Sequence, residues 1–350
     1  MILPKRHLKE LKRISPDNRP YKLCLDMNEG QGLTENFVNK VCRKIDVRFM
    51  VRYPEYDEVI KQIAAHDRIC PDNICLSNGS DAAIKYIFDA YVSEGDRVLF
   101  VNPTFAMYSV YSAMFNAEVV NLEYGQDFSF PLEQFQQMLS HKIRLAIIVN
   151  PNNPTGTAIS PKDLLLTVQI AHKNNVLLVV DEAYFYFYSK TMIKKIKEFN
   201  NLIVLRTFSK LCSLAALRIG YAAACPDIIN YLKKVRPTFD VNSVAVLFAQ
   251  QLFSSPKIIE GMIVATDEGK EYLINQLRVA GIGYKNSVGN FILIECKGRI
   301  DEIVNKLKEK GILIHGGFKQ DFLKNYIRVT AVDKAKMIYF WRIFIKILNG

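Results

Sequence analysis

A chain of 350 residues and 40.1 kDa, 49% hydrophobic and 23% charged, can bury a large core, and its longest apolar runs (145–149 and 176–180) are far too short to cross a bilayer. The net charge of +11 comes from lysines spread over helical stretches such as 190–197 and 297–310 without aromatic stacking runs, which points to solvated helix faces and an anionic small substrate rather than a nucleic-acid partner. Seven scattered cysteines with no CxxC pair and five dispersed histidines argue for reduced thiols and no metal, and the N-terminus lacks a signal-peptide apolar region, so a cytoplasmic protein with no membrane partner is expected.

Residues 1–30 read as a basic arm ending in a short strand, Leu23–Leu25, that leads into Asp26-Met27-Asn28-Glu29-Gly30. A helical pattern covers 33–45, and the proline of Arg52-Tyr53-Pro54-Glu55 opens another helix through His66. Ile74–Leu76 is a strand candidate, followed by the small-residue turn 77–81 and a helix over 82–91. Backbone N–H groups at such a helix start are receptive to a phosphate, although Ser80 or Asp81 acting as a plain N-cap gives the same pattern. Strands then alternate with helices: 97–101, helix 104–115, 118–122, helix 131–139, 143–149, helix 161–173, 176–180, helix 191–198, 202–205. That alternation predicts an α/β fold with a mostly parallel sheet covered by helices on both faces, whose ligands sit beyond the carboxyl ends of the strands.

Beyond 221–225 the pattern turns to long helices, 241–253 and 258–280, and then to a smaller αβ unit. In that unit strands at 290–294, 312–315 and 327–330 are interleaved with helices 300–310 and 334–348. The expected organisation is an arm over 1–30, a large domain over 31–250 and a small C-terminal α+β domain over 251–350.

The chemistry-bearing residues fall at strand ends. The strand 143–149 runs into Asn150-Pro-Asn-Asn-Pro-Thr-Gly156, a rigid irregular loop in which Asn153-Pro154 can be cis. The next strand ends in Asp181-Glu182-Ala183-Tyr184, and a carboxylate there costs desolvation unless it meets a cation. The strand 202–205 ends in Arg206-Thr207-Phe208-Ser209-Lys210, with Arg218 eight residues on. A lysine at that place is either solvated or a desolvated amine able to form a Schiff base with a carbonyl.

Taken together, Asn-Pro-Thr-Gly, Asp-x-x-Tyr and Ser-Lys with its arginine resemble the fold-type-I pyridoxal-phosphate (PLP) aminotransferases of class I/II, and within them the histidinol-phosphate aminotransferase group. Asn78-Gly-Ser-Asp81, Pro103-Thr-Phe-Ala-Met-Tyr108 and Arg52-Tyr53-Pro54 fit the same group in order, so the similarity covers nearly the whole chain. The resemblance implies a seven-stranded sheet, pyridoxal 5'-phosphate as cofactor and a homodimer. It implies that Lys210 holds the cofactor as a Schiff base and moves the substrate proton, that Asp181 pairs with the pyridine nitrogen, and that Asn153 and Tyr184 bond the ring oxygen. Gly79, Ser80, Asp81, Thr207, Ser209 and Arg218 would hold the phosphate end, Phe105 would stack on the ring, and Tyr53 would reach the phosphate of the other subunit. Arg328, in Tyr326-Ile-Arg-Val-Thr330, would clamp a substrate carboxylate, with Asn28 and His315 also at the substrate.

Three departures from the group lie around the substrate. His315 stands where the group carries an arginine, Gly30 replaces an asparagine after Asn28-Glu29, and Arg328-Val-Thr is followed by Ala331-Val332. An imidazole in place of a permanent guanidinium weakens recognition of a distal anion. The expected reaction is therefore transfer of an amino group, with L-glutamate as donor by family habit, to a small phosphorylated ketone such as dihydroxyacetone phosphate. The alternatives are histidinol-phosphate aminotransferase and a PLP-dependent decarboxylase of serine or threonine phosphate. A non-enzymatic cofactor-binding regulator would need a DNA-binding segment, and none is visible.

Overall fold

The computed structural model describes residues 6–8, 19, 23–140 and 142–349. Most of the expected arm over 1–30 lies outside the described residues. The strands in chain order are β1 (Leu23–Leu25), β2 (Ile74–Ser77), β3 (Arg97–Asn102), β4 (Glu118–Glu123), β5 (Leu145–Val149), β6 (Leu177–Asp181), β7 (Leu202–Thr207), β8 (Gly220–Ala223), β9 (Tyr284–Asn286), β10 (Phe291–Glu295), β11 (Ile312–Ile314) and β12 (Tyr326–Thr330).

Seven of them form one sheet in the order β2-β8-β7-β6-β5-β3-β4. The run from β7 to β4 is parallel, and β8 is antiparallel to both β7 and β2. Its central strands are apolar throughout β5, through Val180 in β6 and through Leu205 in β7, because both faces are covered there. Along β6, Leu178 and Val180 enter one core while Val179 enters the other, and along β7 Leu202 and Val204 alternate with Ile203 and Leu205 in the same way. This two-residue alternation carries on past the apolar run. Asp181 and Thr207 therefore face one side of the sheet, and Glu182 and Arg206 face the other.

The helix Gly79–Tyr91 follows β2, Pro161–Lys173 follows β5, and Pro226–Val235 follows β8. Ser160 caps the second through its hydroxyl and Pro161 occupies its first turn. A second, antiparallel sheet runs β12-β10-β9, and the helices Pro256–Val279 and Lys334–Asn349 pack together beside it. Strand β1 pairs in parallel with β11, so Leu23–Leu25 lies against the C-terminal part of the chain and delivers Asp26–Gly30 to the ends of the large sheet.

Several expected elements change. The helix expected over 191–198 is a short 3-10 turn, Ile193–Lys197, and the helix expected from Pro54 starts at Asp57. The turn Val47–Met50 and strand β9 were not anticipated. Among the described residues no helix is long and apolar enough to cross a membrane, and no cluster of histidine, cysteine and acidic side chains is placed to hold a metal.

Candidate active site

A cavity of about 470 Å³ opens at the carboxyl ends of β5, β6 and β7, where the sheet topology favours a ligand. Its walls include Ser80, Asp81, Phe105, Asn153, Asp181, Tyr184, Thr207, Ser209, Lys210 and Arg218. The sequence motifs thus converge on one place although they span 138 positions, from 80 to 218.

Asp181 lies at the floor, 2% exposed. One carboxylate oxygen accepts from the Tyr108 hydroxyl at 2.8 Å and the other from the Ala183 N–H at 3.0 Å. Burial pushes its pKa up to about 6 against the lowering effect of these donors and of Lys210. Burial likewise pushes the Lys210 ammonium down to about 8, helped by the positive charges of Arg328 and Arg218 and opposed by Glu29 and Asp181. The amine donates to the Met27 carbonyl at 2.8 Å. A lysine with that pKa holds a useful neutral fraction at physiological pH, which a nucleophile on an aldehyde requires.

At one end of the cavity the chain forms an anion cup. Gly79 opens its helix at φ +78°, and a Cβ there would lie 2.4 Å from the Arg218 guanidinium, so a side chain would displace that arginine. Arg218 has a left-handed backbone (φ 58°) and donates to the Ala215 carbonyl at 2.9 Å. Thr207 and Ser209 exchange hydroxyl and backbone hydrogen bonds at 3.0 and 3.1 Å, which orients both hydroxyls at the cup.

At the other end, Tyr184 is buried against Phe291 and accepts from the Asn28 side-chain amide at 2.9 Å. Asn28 is itself fully buried, its N–H donating to the Thr330 hydroxyl at 3.0 Å. Arg328 donates one guanidinium nitrogen to the Asn153 side-chain oxygen and another to the Asp26 carbonyl, and its Nε is buried without a partner among the described residues. His315 exchanges backbone hydrogen bonds with Arg328, at 3.2 and 2.7 Å, and its ring packs on Phe318. Burial and the Arg328 charge drive its pKa down to about 4, so the imidazole is neutral at pH 7.

Five expected residues are not on the cavity wall. Tyr53 is 75% exposed, stacks on Phe239 with ring centroids 4.3 Å apart, and lines a separate cavity of about 360 Å³ with Arg48 and Arg52. His315, Arg328, Asn28 and Gly79 do not line the Lys210 cavity either, although Arg328 bonds Asn153, Asn28 bonds Tyr184 and Gly79 abuts Arg218, all three of which do. Three contributors were missed. Tyr108 was visible only as part of a motif, and nothing in the sequence ties it to a carboxylate 73 positions away. Met27 and Arg19 on the cavity wall carried no signal at all.

The residues fit pyridoxal phosphate on their own geometry: a buried carboxylate for a ring cation, an amine of lowered pKa for the aldehyde, and an arginine with hydroxyls and a helix start for the phosphate. A fold with a mostly parallel seven-stranded sheet and this arrangement at its carboxyl edge is that of a PLP-dependent transferase. The comparisons agree. The family described as "Aminotransferase class I and II" matches residues 38–343. A histidinol-phosphate aminotransferase of Thermoanaerobacter pseudethanolicus is 34% identical over 334 residues, covering 94% of both chains, and one from Caldanaerobacter subterraneus is 33% identical with the same coverage. The histidinol-phosphate aminotransferase of Sinorhizobium meliloti, solved with pyridoxal-5'-phosphate, superposes with a TM-score of 0.85 at 22% identity, covering 93% of this chain and 91% of that one. The chain belongs to the class I and II aminotransferases and is a PLP-dependent aminotransferase.

The lysine's titration is testable directly. Cofactor-free protein is expected to take up pyridoxal phosphate covalently at a rate that rises with pH and levels off above about 8, because only the neutral amine attacks. Stopped-flow absorbance across pH 6.5–9.5 (about three units) measures it, and a rate independent of pH would contradict the assignment.

Proposed function

We propose that this aminotransferase exchanges an amino group between L-glutamate and a phosphorylated ketone, with histidinol phosphate and its ketone as the leading substrate pair. The observation that carries this reading is the near-full-length relationship to proteins named histidinol-phosphate aminotransferase. One specific feature favours a second reading, a smaller ketone of the dihydroxyacetone-phosphate type. Where the resemblance calls for an arginine the chain has His315, held neutral beside Arg328.

In either case Lys210 binds the cofactor covalently and then shuttles the substrate proton. Bound there, the cofactor supplies an electron sink for the pair left when that proton departs. Asp181 keeps the ring nitrogen charged, with Tyr108 orienting the carboxylate. Asn153 and Tyr184 bond the ring oxygen, Phe105 covers the ring, and Gly79, Ser80, Asp81, Thr207, Ser209 and Arg218 seat the phosphate. Arg328 takes the α-carboxylate of the amino acid in a bidentate pair, and Asn28 positions Tyr184. Residues 31–250 form the cofactor-binding part, and 251–350 the part that carries Arg328.

A homodimer belongs to the same proposal. Val47, Met50, Val51 and Tyr53 expose 69–79% of their surface on one short segment beside Phe239, a clustering of apolar side chains that suits a subunit contact. Tyr53 would serve the neighbouring subunit's phosphate. A cytoplasmic location is supported by seven cysteines that form no disulfide among the described residues.

The test is a substrate comparison on cofactor-loaded protein. Turnover of histidinol phosphate with 2-oxoglutarate is expected to exceed that of dihydroxyacetone phosphate with glutamate in kcat/KM. The reverse order by about tenfold selects the second reading. Carbon dioxide released from serine or threonine phosphate, with no amino-group transfer to any ketone, sinks both.

A further inference from the structure

Three cationic side chains line the Lys210 cavity: Lys210, Arg218 and Arg19. The proposed function uses the first for the covalent bond and the second for the cofactor phosphate, and leaves Arg19 with no task. Its placement is specific. The terminal guanidinium nitrogens donate to both Glu29 oxygens at 2.9 and 2.6 Å and to the Asp26 carboxylate at 2.9 Å. A further N–H meets only the Met27 sulfur, at 3.2 Å, and Nε is buried with no acceptor among the described residues. Met27 and Glu29 line the cavity too, the Met27 carbonyl holds the Lys210 amine, and the Asp26 carbonyl holds Arg328. Arg19, Arg328 and Lys210 therefore converge on the four residues Asp26–Glu29.

The geometry points to Arg19 as a specificity-determining residue that binds the anionic group at the far end of the substrate, with the Glu29 carboxylate as its resident placeholder. This inference rests on the aminotransferase reading and deepens it. Arg19, Met27 and Glu29 share the cavity wall with Lys210, and Arg328 is tied to that wall through Asn153 and the Asp26 carbonyl, so a substrate held between Lys210 and Arg328 would lie beside Arg19. The fork already carries a carboxylate in the bidentate geometry that an arginine offers to a carboxylate or a phosphate. Arg19 and Glu29 are 22% and 31% exposed in their side chains, so the pair is open to an incoming anion, which must displace Glu29 from a bidentate contact while Asp26 stays on the guanidinium. His315, neutral at pH 7, offers no charge for that end of the substrate. The anion is either the γ-carboxylate of the donor or the phosphate of the acceptor, which share the fork's chemistry.

The experiment uses cofactor-loaded protein and reads binding through the absorbance of the lysine-bound cofactor, with calorimetry as a second readout. The probes are succinate against propionate, which lacks the distal carboxylate, and glycerol 3-phosphate against glycerol. Arg19→Met is expected to weaken at least one of the two anions by about tenfold or more, a charge-assisted fork being lost, while propionate binding stays within about twofold. R19K, which keeps the charge without the fork, is expected to fall between. An effect on succinate alone identifies the donor carboxylate, and one on glycerol 3-phosphate alone the acceptor phosphate. Glu29→Gln, which removes the resident anion, is expected to bind the same probe at least as tightly as the parent. Equal losses for the anion and its neutral counterpart, no loss in R19M, a parent that binds neither anion, or a Glu29→Gln variant as weak as R19M would each overturn the proposal. Failure of the aminotransferase reading looks different: the parent's cofactor absorbance then does not respond to glutamate at all.

Discussion

Replacing Lys210 by alanine is expected to lower transamination by about 10⁴ or more, because the substitution removes both the nucleophile and the group that carries the substrate proton. Cofactor binding should survive. Gly79, Arg218 and the Asp181 carboxylate lie on other elements and keep their own partners, Ala215 and Tyr108 among them, while Ser209, next to Lys210, is held by Thr207. Two measurements separate the outcomes. Borohydride reduction should fix the cofactor to the parent chain and leave the variant unlabelled by mass spectrometry, while equilibrium dialysis should still find pyridoxal phosphate on the variant. Turnover that persists in the variant, or a reduced adduct at a different lysine, would remove Lys210 from the centre of the site. Lys270 is the informative rival, since burial pushes it down to about 8 as well. Its amine, however, is taken up by the Ser287 and Gly289 carbonyls away from the cavity.

The parts of this site that were legible in the sequence are those governed by short-range pattern. β-branched runs covered on both faces announce central strands, and the first polar residues after each run mark the carboxyl ends where ligands gather. Asp181, Thr207, Ser209 and Lys210 follow from that rule with the family resemblance, as do the Asn150–Gly156 loop and the Gly79 turn. What stayed hidden depends on pairings between distant segments. Nothing in Leu23–Leu25 says that it will lie beside Ile312–Ile314, yet that register sets Asp26–Glu29 against Lys210 and Arg328. Tyr108 reaches Asp181 only because two neighbouring strands, β3 and β5, bring its helix over the floor of the cavity. Tyr53 marks the opposite limit. Its motif was readable, but within one chain it stacks on Phe239 outside the cavity, and the role proposed for it in a second subunit's site is one that the fold of a single subunit does not display.

The second large effect is expected from the underside of the same strands. Arg206 lies on the face opposite Thr207, and its side chain is only 4% exposed. It donates to Asp67 at 2.6 Å and to Glu182 at 2.9 and 3.1 Å, with the Phe185 ring 3.4 Å beneath its plane. Tyr221 completes Asp67 at 2.7 Å, and Thr191 with the Met192 N–H completes Glu182. Among the described residues the arginine is the one permanent cation over two carboxylates that are themselves 1% and 2% exposed, with the His66 ring also bonding Asp67 at 2.9 Å. Arg206→Met should then cost about 3–5 kcal/mol of unfolding free energy, chiefly because two buried acids lose their counter-charge. Urea unfolding of the cofactor-free protein measures that loss. Adding Glu182→Gln to Arg206→Met should recover part of it rather than add a further penalty, since the two side chains share one network. A loss below about 1 kcal/mol, or strict additivity, would mean that the network carries little of the load. Because Glu182 follows Asp181 and Arg206 precedes Thr207, a network that holds the lower face also holds the register of the upper one. Cofactor affinity measured by dialysis should therefore fall in Arg206→Met, although Arg206 itself faces away from the cavity.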